Sequence, residues 1–191
     1  MHKFLPKFFI FLDQYNSEIF ENNNINIGII YRNYKDRNRE NQLTKIAKAC
    51  KKSRYKLFVS NDIKLVHKVK ADGIYIPSFN KNLKVGNFNL KKDFIVLGSA
   101  HNIKEINEKE KQKVDAIFLS TLFKTNKSND YLDLSKFNFL SKFSRKKIIA
   151  LGGISEKNIN KLKLLKCDGF ASISFIKISN KKCIVSNLLK K

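Results

Sequence analysis

Lys147-Ile-Ile-Ala-Leu-Gly-Gly-Ile154 and, further along, Cys167-Asp-Gly-Phe-Ala-Ser-Ile-Ser174 decide the fold. Each opens as a buried strand, apolar without strict alternation, as strands covered on both faces are. The first empties into two glycines and the second into a serine, with a helix-like segment between them. A turn made of Gly152 and Gly153 leaves backbone N–H groups open to close approach, and the start of a following helix favours anions. An isolated Gly-Gly marks a tight turn and nothing more. Two such turns side by side form the phosphate grip found after the seventh and eighth strands of (β/α)8 barrels.

Working outward from this pair, short β-rich runs recur at 8–12, 27–31, 56–60, 73–76, 94–98 and 116–120, before those at 147–151 and 169–173. Apolar residues at three-to-four spacing fill the intervals. Leu43, Ile46, Ala47 and Cys50 make one face, and Ile103 and Ile106 begin a second. Phe137, Leu140 and Phe143 make a third, and Ile159, Leu162 and Leu165 a fourth, behind Ser155 and Asn158 as helix-starting residues. A last helix is expected near 183–189. The segment 77–93, rich in Asn and Lys, reads as a loop or a single turn. Strands alternating with helices imply right-handed βαβ units and a parallel sheet. Eight of them at even spacing predict an α/β fold, a single (β/α)8 TIM barrel occupying 1–191 as one domain. At 191 residues it is a short one, since such barrels typically take about 250.

The net charge of +23 is of a size that attracts nucleic acid or anionic membranes. Its distribution argues against nucleic acid as the main partner. Only five of the 39 basic residues are Arg, and the lysines are spread over every expected helix rather than gathered in a stripe. Lys, Asn, Ile and Phe share A/T-rich codons, which accounts for their joint abundance. No apolar run is long enough to span a bilayer. The apolar start of the chain is broken by Pro6 and Lys7 and ends in Asp13 without a small-residue cleavage site, so it reads as a first strand. The three cysteines, Cys50, Cys167 and Cys183, lack metal-ligand spacing and read as reduced residues of a cytoplasmic protein. Oligomeric state leaves no mark in the sequence.

In a (β/α)8 barrel the chemistry gathers at the C-terminal ends of the strands. Here those ends carry Arg32, Asn61-Asp62, Ser78 to Asn80, Ser99-Ala-His101, Thr121 to Thr125, Gly152-Gly153 and Ile173-Ser174. Seven stretches in order resemble the thiamine phosphate synthase/TenI family. They are Tyr31-Arg32, Val59-Ser-Asn-Asp62, Ala71-Asp-Gly-Ile-Tyr-Ile76, Gly98-Ser-Ala-His101, Val114-Asp-Ala-Ile-Phe-Leu-Ser-Thr-Leu-Phe-Lys-Thr125, Ala150-Leu-Gly-Gly-Ile154 and Asp168-Gly-Phe-Ala-Ser-Ile-Ser174. The resemblance implies small phosphorylated substrates. It implies a transferase that joins a hydroxymethylpyrimidine diphosphate to a thiazole phosphate with release of diphosphate. It places Arg32 in the clamp on the leaving group, Ser99 and Thr125 on phosphate, and Asn61 beside Asp62, a ligand of Mg2+. Gly152, Gly153, Ile173 and Ser174 fall in the grip on the thiazole phosphate.

The sequence departs from the family pattern at three places. The Gln-x-Arg-x-Lys motif is Ile30-Tyr-Arg32-Asn-Tyr34. The His-Leu-Gly-Gln-x-Asp motif is Tyr75-Ile-Pro-Ser-Phe-Asn80, so an amide stands where the second Mg2+ carboxylate belongs. The Pro-Thr-x-Thr-Lys motif is Lys124-Thr-Asn-Lys-Ser128, with its lysine displaced to Lys127. Hard divalent cations prefer charged oxygens, so Asn80 makes a poorer metal ligand than Asp. Lys35, Arg37 or Lys127 would return positive charge to the clamp. His101 matches the acid/base histidine of TenI-type thiazole tautomerases, but synthases carry Ser-x-His here as well. Two alternatives to the synthase therefore stand: a metal-free tautomerase, and a non-catalytic binder of phosphorylated ligands. His67 reads as a surface residue, and Asp72 and Asp168, each before a Gly at a strand start, as turn residues.

Overall fold

The computed structural model describes residues 4–21, 26–84, 93–125 and 129–172. Eight strands are present: β1 Phe8–Leu12, β2 Ile27–Tyr31, β3 Lys56–Ser60, β4 Gly73–Ile76, β5 Ile95–Ala100, β6 Ala116–Leu119, β7 Lys147–Leu151 and β8 Gly169–Ser172. They pair in chain order, all parallel, and β8 returns to β1 to close the barrel. Closure leaves no sheet edge. These are the eight expected runs, with bounds shifted by a residue or two at β5 and β6; Ile173, the last residue expected in β8, lies outside the described residues.

Between the strands run α1 Arg39–Ser53, α2 Ile63–Val69, α3 Ile103–Lys111 and α4 Asp133–Ser141, with 3-10 helices at Ser17–Phe20 and Ile159–Leu164. Leu43, Ile46, Cys50, Ile106, Phe137 and Leu140 are buried on these elements as their spacing predicts. Two expectations fail. Phe143 lies beyond the end of α4 and is exposed, stacked edge-on against the equally exposed Phe139. The segment after Gly-Gly is a six-residue 3-10 helix rather than an α-helix. Ile159 and Leu162 on it, with Leu165 just past its end, recur every three positions, the 3-10 repeat. No α-helix forms over 77–84, in line with its composition. The expected helix near 183–189 lies outside the described residues.

Inside the barrel, Phe9, Phe11, Phe58, Tyr75 and Phe118 pack with Ile30, Ile95, Leu97, Ile149 and Leu151. The rings meet edge-on, with Phe9–Phe118 at 4.9 Å, Phe11–Tyr75 at 5.3 Å and Tyr75–Phe118 at 5.4 Å. So much aromatic volume fits because the neighbouring strands carry glycine. A Cβ on Gly28 would stand 2.4 Å from the Phe9 ring, and one on Gly73 only 2.0 Å from the Ile95 carbonyl. The outer core, between strands and helices, is mainly aliphatic, with rings such as Phe8, Phe137 and Phe170 set among it.

The N-terminal face is held by one device used three times. Asp72, Asp115 and Asp168 stand just before β4, β6 and β8. Their carboxylates accept from the N–H of Leu57 (2.9 Å), Val96 (2.8 Å) and Ile148 (2.9 Å) on the preceding strand. The backbone N–H of each donates to the carbonyl of that same residue. Asp72 and Asp168 are thus turn residues that also fix strand register. Burial pushes the Cys50 thiol up to about 12 and the Cys167 thiol up to about 11, so both are inert packing groups.

Candidate active site

The C-terminal ends of β2 to β5 build one half of the mouth. Arg32 follows β2 and its backbone N–H donates to Leu12 at 2.8 Å. Its guanidinium lies over the Phe11 ring at 5.0 Å, a cation–π seat that holds the charge at the mouth. Beneath it Tyr75 is fully buried, with its phenol hydrogen-bonded to Ser99, itself buried at the end of β5. Burial pushes the Tyr75 phenol up to about 12, with the Ser99 hydrogen bond and the nearby Arg32 charge pulling the other way. Arg32 and Ser99, called separately from sequence, thus share one floor. Tyr75 joins them, and its signal was only that it stands where the family pattern has His.

The end of β3 is engaged with itself. Asn61 takes the left-handed conformation, φ 57°, and its N–H donates to the Tyr75 carbonyl at 2.9 Å. Its side-chain carbonyl accepts from the Asn80 amide. Asn80 in turn accepts from the Asn82 N–H at 2.8 Å. Asp62 caps α2, with Oδ1 accepting from the Leu65 N–H at 3.0 Å. Its Oδ2 receives Arg39 Nη1, also at 3.0 Å. Arg39 Nη2 donates to the Ser60 carbonyl at 3.0 Å, and the guanidinium stands 5.9 Å from the Tyr31 ring and 5.7 Å from Tyr34. Sequence reasoning missed Arg39, the first residue of α1 and seven positions past Arg32.

For Mg2+, the candidate ligands Asp62 and Asn80 do not make a cage. One carboxylate is present, already ion-paired, and each side-chain oxygen of Asp62, Asn61 and Asn80 already accepts a hydrogen bond. A hard dication needs several free charged oxygens. Among the described residues no group of three or more His, Cys, Asp or Glu converges.

The loop that carries Asn80 is clamped from behind. Lys109 of α3 is fully buried and its ammonium donates to Pro77 O (2.8 Å), Asn80 O (2.7 Å) and Gln112 Oε1 (2.8 Å). Gln112 Nε2 donates to Asn80 O and Asn82 O. Burial pulls the ammonium down to about 8, against the raising effect of Glu108 and Glu105.

His101 begins the turn into α3. Its Nδ1 lies 2.8 Å from Glu105 Oε2, which also accepts from the His101 N–H at 2.8 Å. Asn102 caps the helix and accepts from the Glu105 N–H, while the Glu105 carboxylate reaches back to the His101 N–H and the Asn102 side-chain amide. Burial raises the Glu105 carboxyl, but the hydrogen bonds from His101 and Asn102 outweigh it and the net shift is down. The pairing fixes the imidazole and turns Nε2 away from the carboxylate. His67 is exposed in the last turn of α2, the surface residue expected.

The other half of the mouth is the turn after β7. Gly152 has φ 101° and Gly153 φ 67°, both in the region that favours glycine. Their carbonyls face inward to the protein, accepting from the Phe123 N–H (3.1 Å) and the Asn158 amide (2.8 Å). Among the described residues no α-helix N-terminus backs this turn: the segment between β7 and β8 forms the 3-10 helix instead of the anion-favouring helix expected there. A cavity of about 550 Å3 adjoins it, lined by Phe123, Lys124, Tyr131, Asp133, Asn158 and Lys161 among others. Thr125 is half-buried in the loop after β6. Lys127, Ile173 and Ser174 lie outside the described residues.

A closed eight-stranded parallel barrel with its polar residues at the C-terminal strand ends is the (β/α)8 architecture. The family model for thiamine monophosphate synthase (TMP-TENI) matches residues 23–176, and the chain belongs to that family. It is 26% identical to a thiamine-phosphate synthase of Methanobrevibacter smithii over 153 residues, covering 78% of this chain and 73% of the other. It is 30% identical to one from Clostridium perfringens over 154 residues, covering 77% and 74%. A solved thiamine phosphate pyrophosphorylase from Pyrococcus furiosus superposes with a TM-score of 0.77 at 19% identity, covering 96% of both chains, a likeness of fold. These relatives support a role in thiamine biosynthesis. Among the described residues no helix is long and apolar enough to cross a membrane.

Proposed function

We propose that this chain is a single-domain thiamine phosphate synthase-type transferase. It joins a hydroxymethylpyrimidine diphosphate to a thiazole phosphate and releases diphosphate. One observation carries the reading: Arg32, seated on Phe11 near the Tyr75–Ser99 pair, follows β2, while the Gly152–Gly153 turn follows β7, three places around the same closed ring. A two-substrate reaction between phosphorylated halves needs an anion hold at each side.

The bond from the pyrimidine methyl carbon to diphosphate breaks with its electron pair on the leaving oxygen, and the thiazole nitrogen supplies a pair to the carbon. Negative charge grows on the diphosphate. Arg32 meets it with a planar, permanently charged fork suited to two phosphate oxygens. Preorganised charge aimed at a leaving group is the largest contribution such a site makes. Ser99, Asn61 and Thr125 offer hydrogen bonds to phosphate oxygens, with Lys127 adding charge. Gly153 with Ile173 and Ser174 holds the thiazole phosphate by backbone N–H groups.

A second reading, a thiazole tautomerase, is favoured by the His101–Glu105 pair. A carboxylate at Nδ1 leaves Nε2 to take and return a proton. The test is to incubate the purified chain with both phosphorylated halves and measure thiamine phosphate and inorganic diphosphate. Equal amounts of the two support the transferase, with product lost in Arg32→Met. No product, together with His101-dependent isomerisation of the thiazole carboxylate phosphate, would replace it with the tautomerase. Bound phosphate ligands with neither reaction would leave a non-catalytic binder.

A further inference from the structure

We infer that this barrel holds the diphosphate end of its ligand without a divalent cation, because the Arg39 guanidinium occupies the carboxylate that would anchor one. The inference rests on the reading of the mouth as a phosphate-ligand site and specifies how that site is charged.

The reasoning begins with oxygens. Asp62 is the one carboxylate at the ends of β3 and β4 in the motif positions, and both its oxygens are engaged. Oδ1 caps α2 through the Leu65 N–H and Oδ2 is ion-paired with Arg39, each at 3.0 Å. Freeing Oδ1 would uncap the helix, and freeing Oδ2 would strand a half-buried guanidinium. Arg39 does not swing away at low cost, since it is also tied to the Ser60 carbonyl and seated against two tyrosine rings. A guanidinium stays charged at every ordinary pH, so Arg39 is a standing counter-charge to the Asp62 carboxylate.

The remaining donors are amides. Asn80 and Asn61 bond each other, and Asn80 also closes on Asn82. The Asn80 loop is held in place by Lys109 and Gln112 through its own carbonyls, which points those carbonyls inward and away from any ion. A dication entering here would meet Arg39 with a single paired carboxylate to offset both, a repulsive arrangement at close range. The same sum of charges suits an anion. Arg32 stands free of any carboxylate partner among the described contacts, and Arg39 and Asp62 contribute no net charge. The positive field that a metal would otherwise supply comes from side chains.

Two measurements on the full chain decide this. Mn2+ is titrated into the protein and the free-ion paramagnetic resonance signal followed. The expected result is no loss of free signal in the wild type, and uptake of one ion in the double variant Arg39→Met with Asn80→Asp, which frees one carboxylate and adds another. Stoichiometric Mn2+ uptake by the wild type, abolished in Asp62→Asn, would overturn the inference. A folded double variant that takes up no Mn2+ would overturn the part given to Arg39. Calorimetry then follows inorganic diphosphate binding in chelator and in Mg2+, corrected for the Mg2+–diphosphate complex. The dissociation constants should agree within about threefold, under 1 kcal/mol. Binding only when Mg2+ is supplied would overturn the inference. Absence of binding in both buffers would instead remove the phosphate-ligand reading, leaving the Mn2+ result to stand by itself.

Discussion

Replacing Lys109 by Met tests how the mouth is supported. The substitution keeps most of the apolar stem and removes an ammonium that donates to Pro77 O, Asn80 O and Gln112 Oε1. Pro77 O keeps the Asn80 N–H and Asn80 O keeps the Gln112 amide, so each loses one bond of two. Gln112 Oε1 is left buried without a donor among the described contacts. An orphaned buried acceptor costs about 1–3 kcal/mol and each lost charge-assisted bond adds a smaller amount, while removal of a buried charge gives some back. The net is a loss of ~2–4 kcal/mol, or roughly 5–15 °C in Tm for a chain of this size. Thermal unfolding by circular dichroism at pH 7 measures it.

The pH dependence of the same pair gives a sharper check. Burial lowers the Lys109 pKa from 10.5 to about 8 in the folded protein. Between those values the unfolded chain binds the proton and the folded one does not, so this group makes stability rise with pH across that window. The Lys109→Met gap should therefore widen from pH 8 to pH 10. A Tm unchanged within a degree, or a gap that is flat or narrows with pH, would refute the reasoning.

Three further outcomes follow from single contacts. Asp168→Ala removes the acceptor of the Ile148 N–H and should cost about 1–2 kcal/mol in denaturant unfolding without changing the cooperativity of the transition. Glu105→Gln should destabilise more at pH 7 than at pH 3. The hydrogen bonds that lower the Glu105 pKa below 4.5 contribute above that value and fade as pH falls through the folded one, which paired melts at the two pH values read directly. Arg32→Met should weaken inorganic diphosphate binding by a factor of ~10–100 in calorimetry while leaving Tm within a few degrees, because its charge faces the mouth rather than the core. A large fall in Tm with unchanged affinity would place Arg32 in the scaffold instead.

Much of this was readable in advance, for physical reasons that can be named. Buried parallel strands are continuous apolar runs, so all eight were visible, and Gly152-Gly153 announced a tight turn by composition. The helix after β7 was misjudged because Ile159, Leu162 and Leu165 satisfy a helical spacing loosely and the 3-10 repeat better. Arg39 and Lys109 were invisible. A basic residue on a helix reads as solvated, and only the fold shows that α1 begins beside Asp62 and that Gly98 leaves room for the Lys109 stem, a Cβ there falling 2.9 Å from Lys109 Cδ. Gly153 also proves unsuited as a mutational probe of phosphate binding. A Cβ at that position would stand 2.4 Å from the Phe123 carbonyl, so a bulky substitution disturbs the β6 loop as well as the turn.

A crystal structure of the full chain grown with inorganic phosphate and inorganic diphosphate tests the two-sided mouth most directly. Diphosphate should sit against Arg32 above Phe11, with Ser99 in reach and Arg39 still paired to Asp62. Phosphate should sit at the Gly152–Gly153 turn. Anions gathered instead in the cavity between Lys124 and Lys161, with the mouth empty, would contradict it.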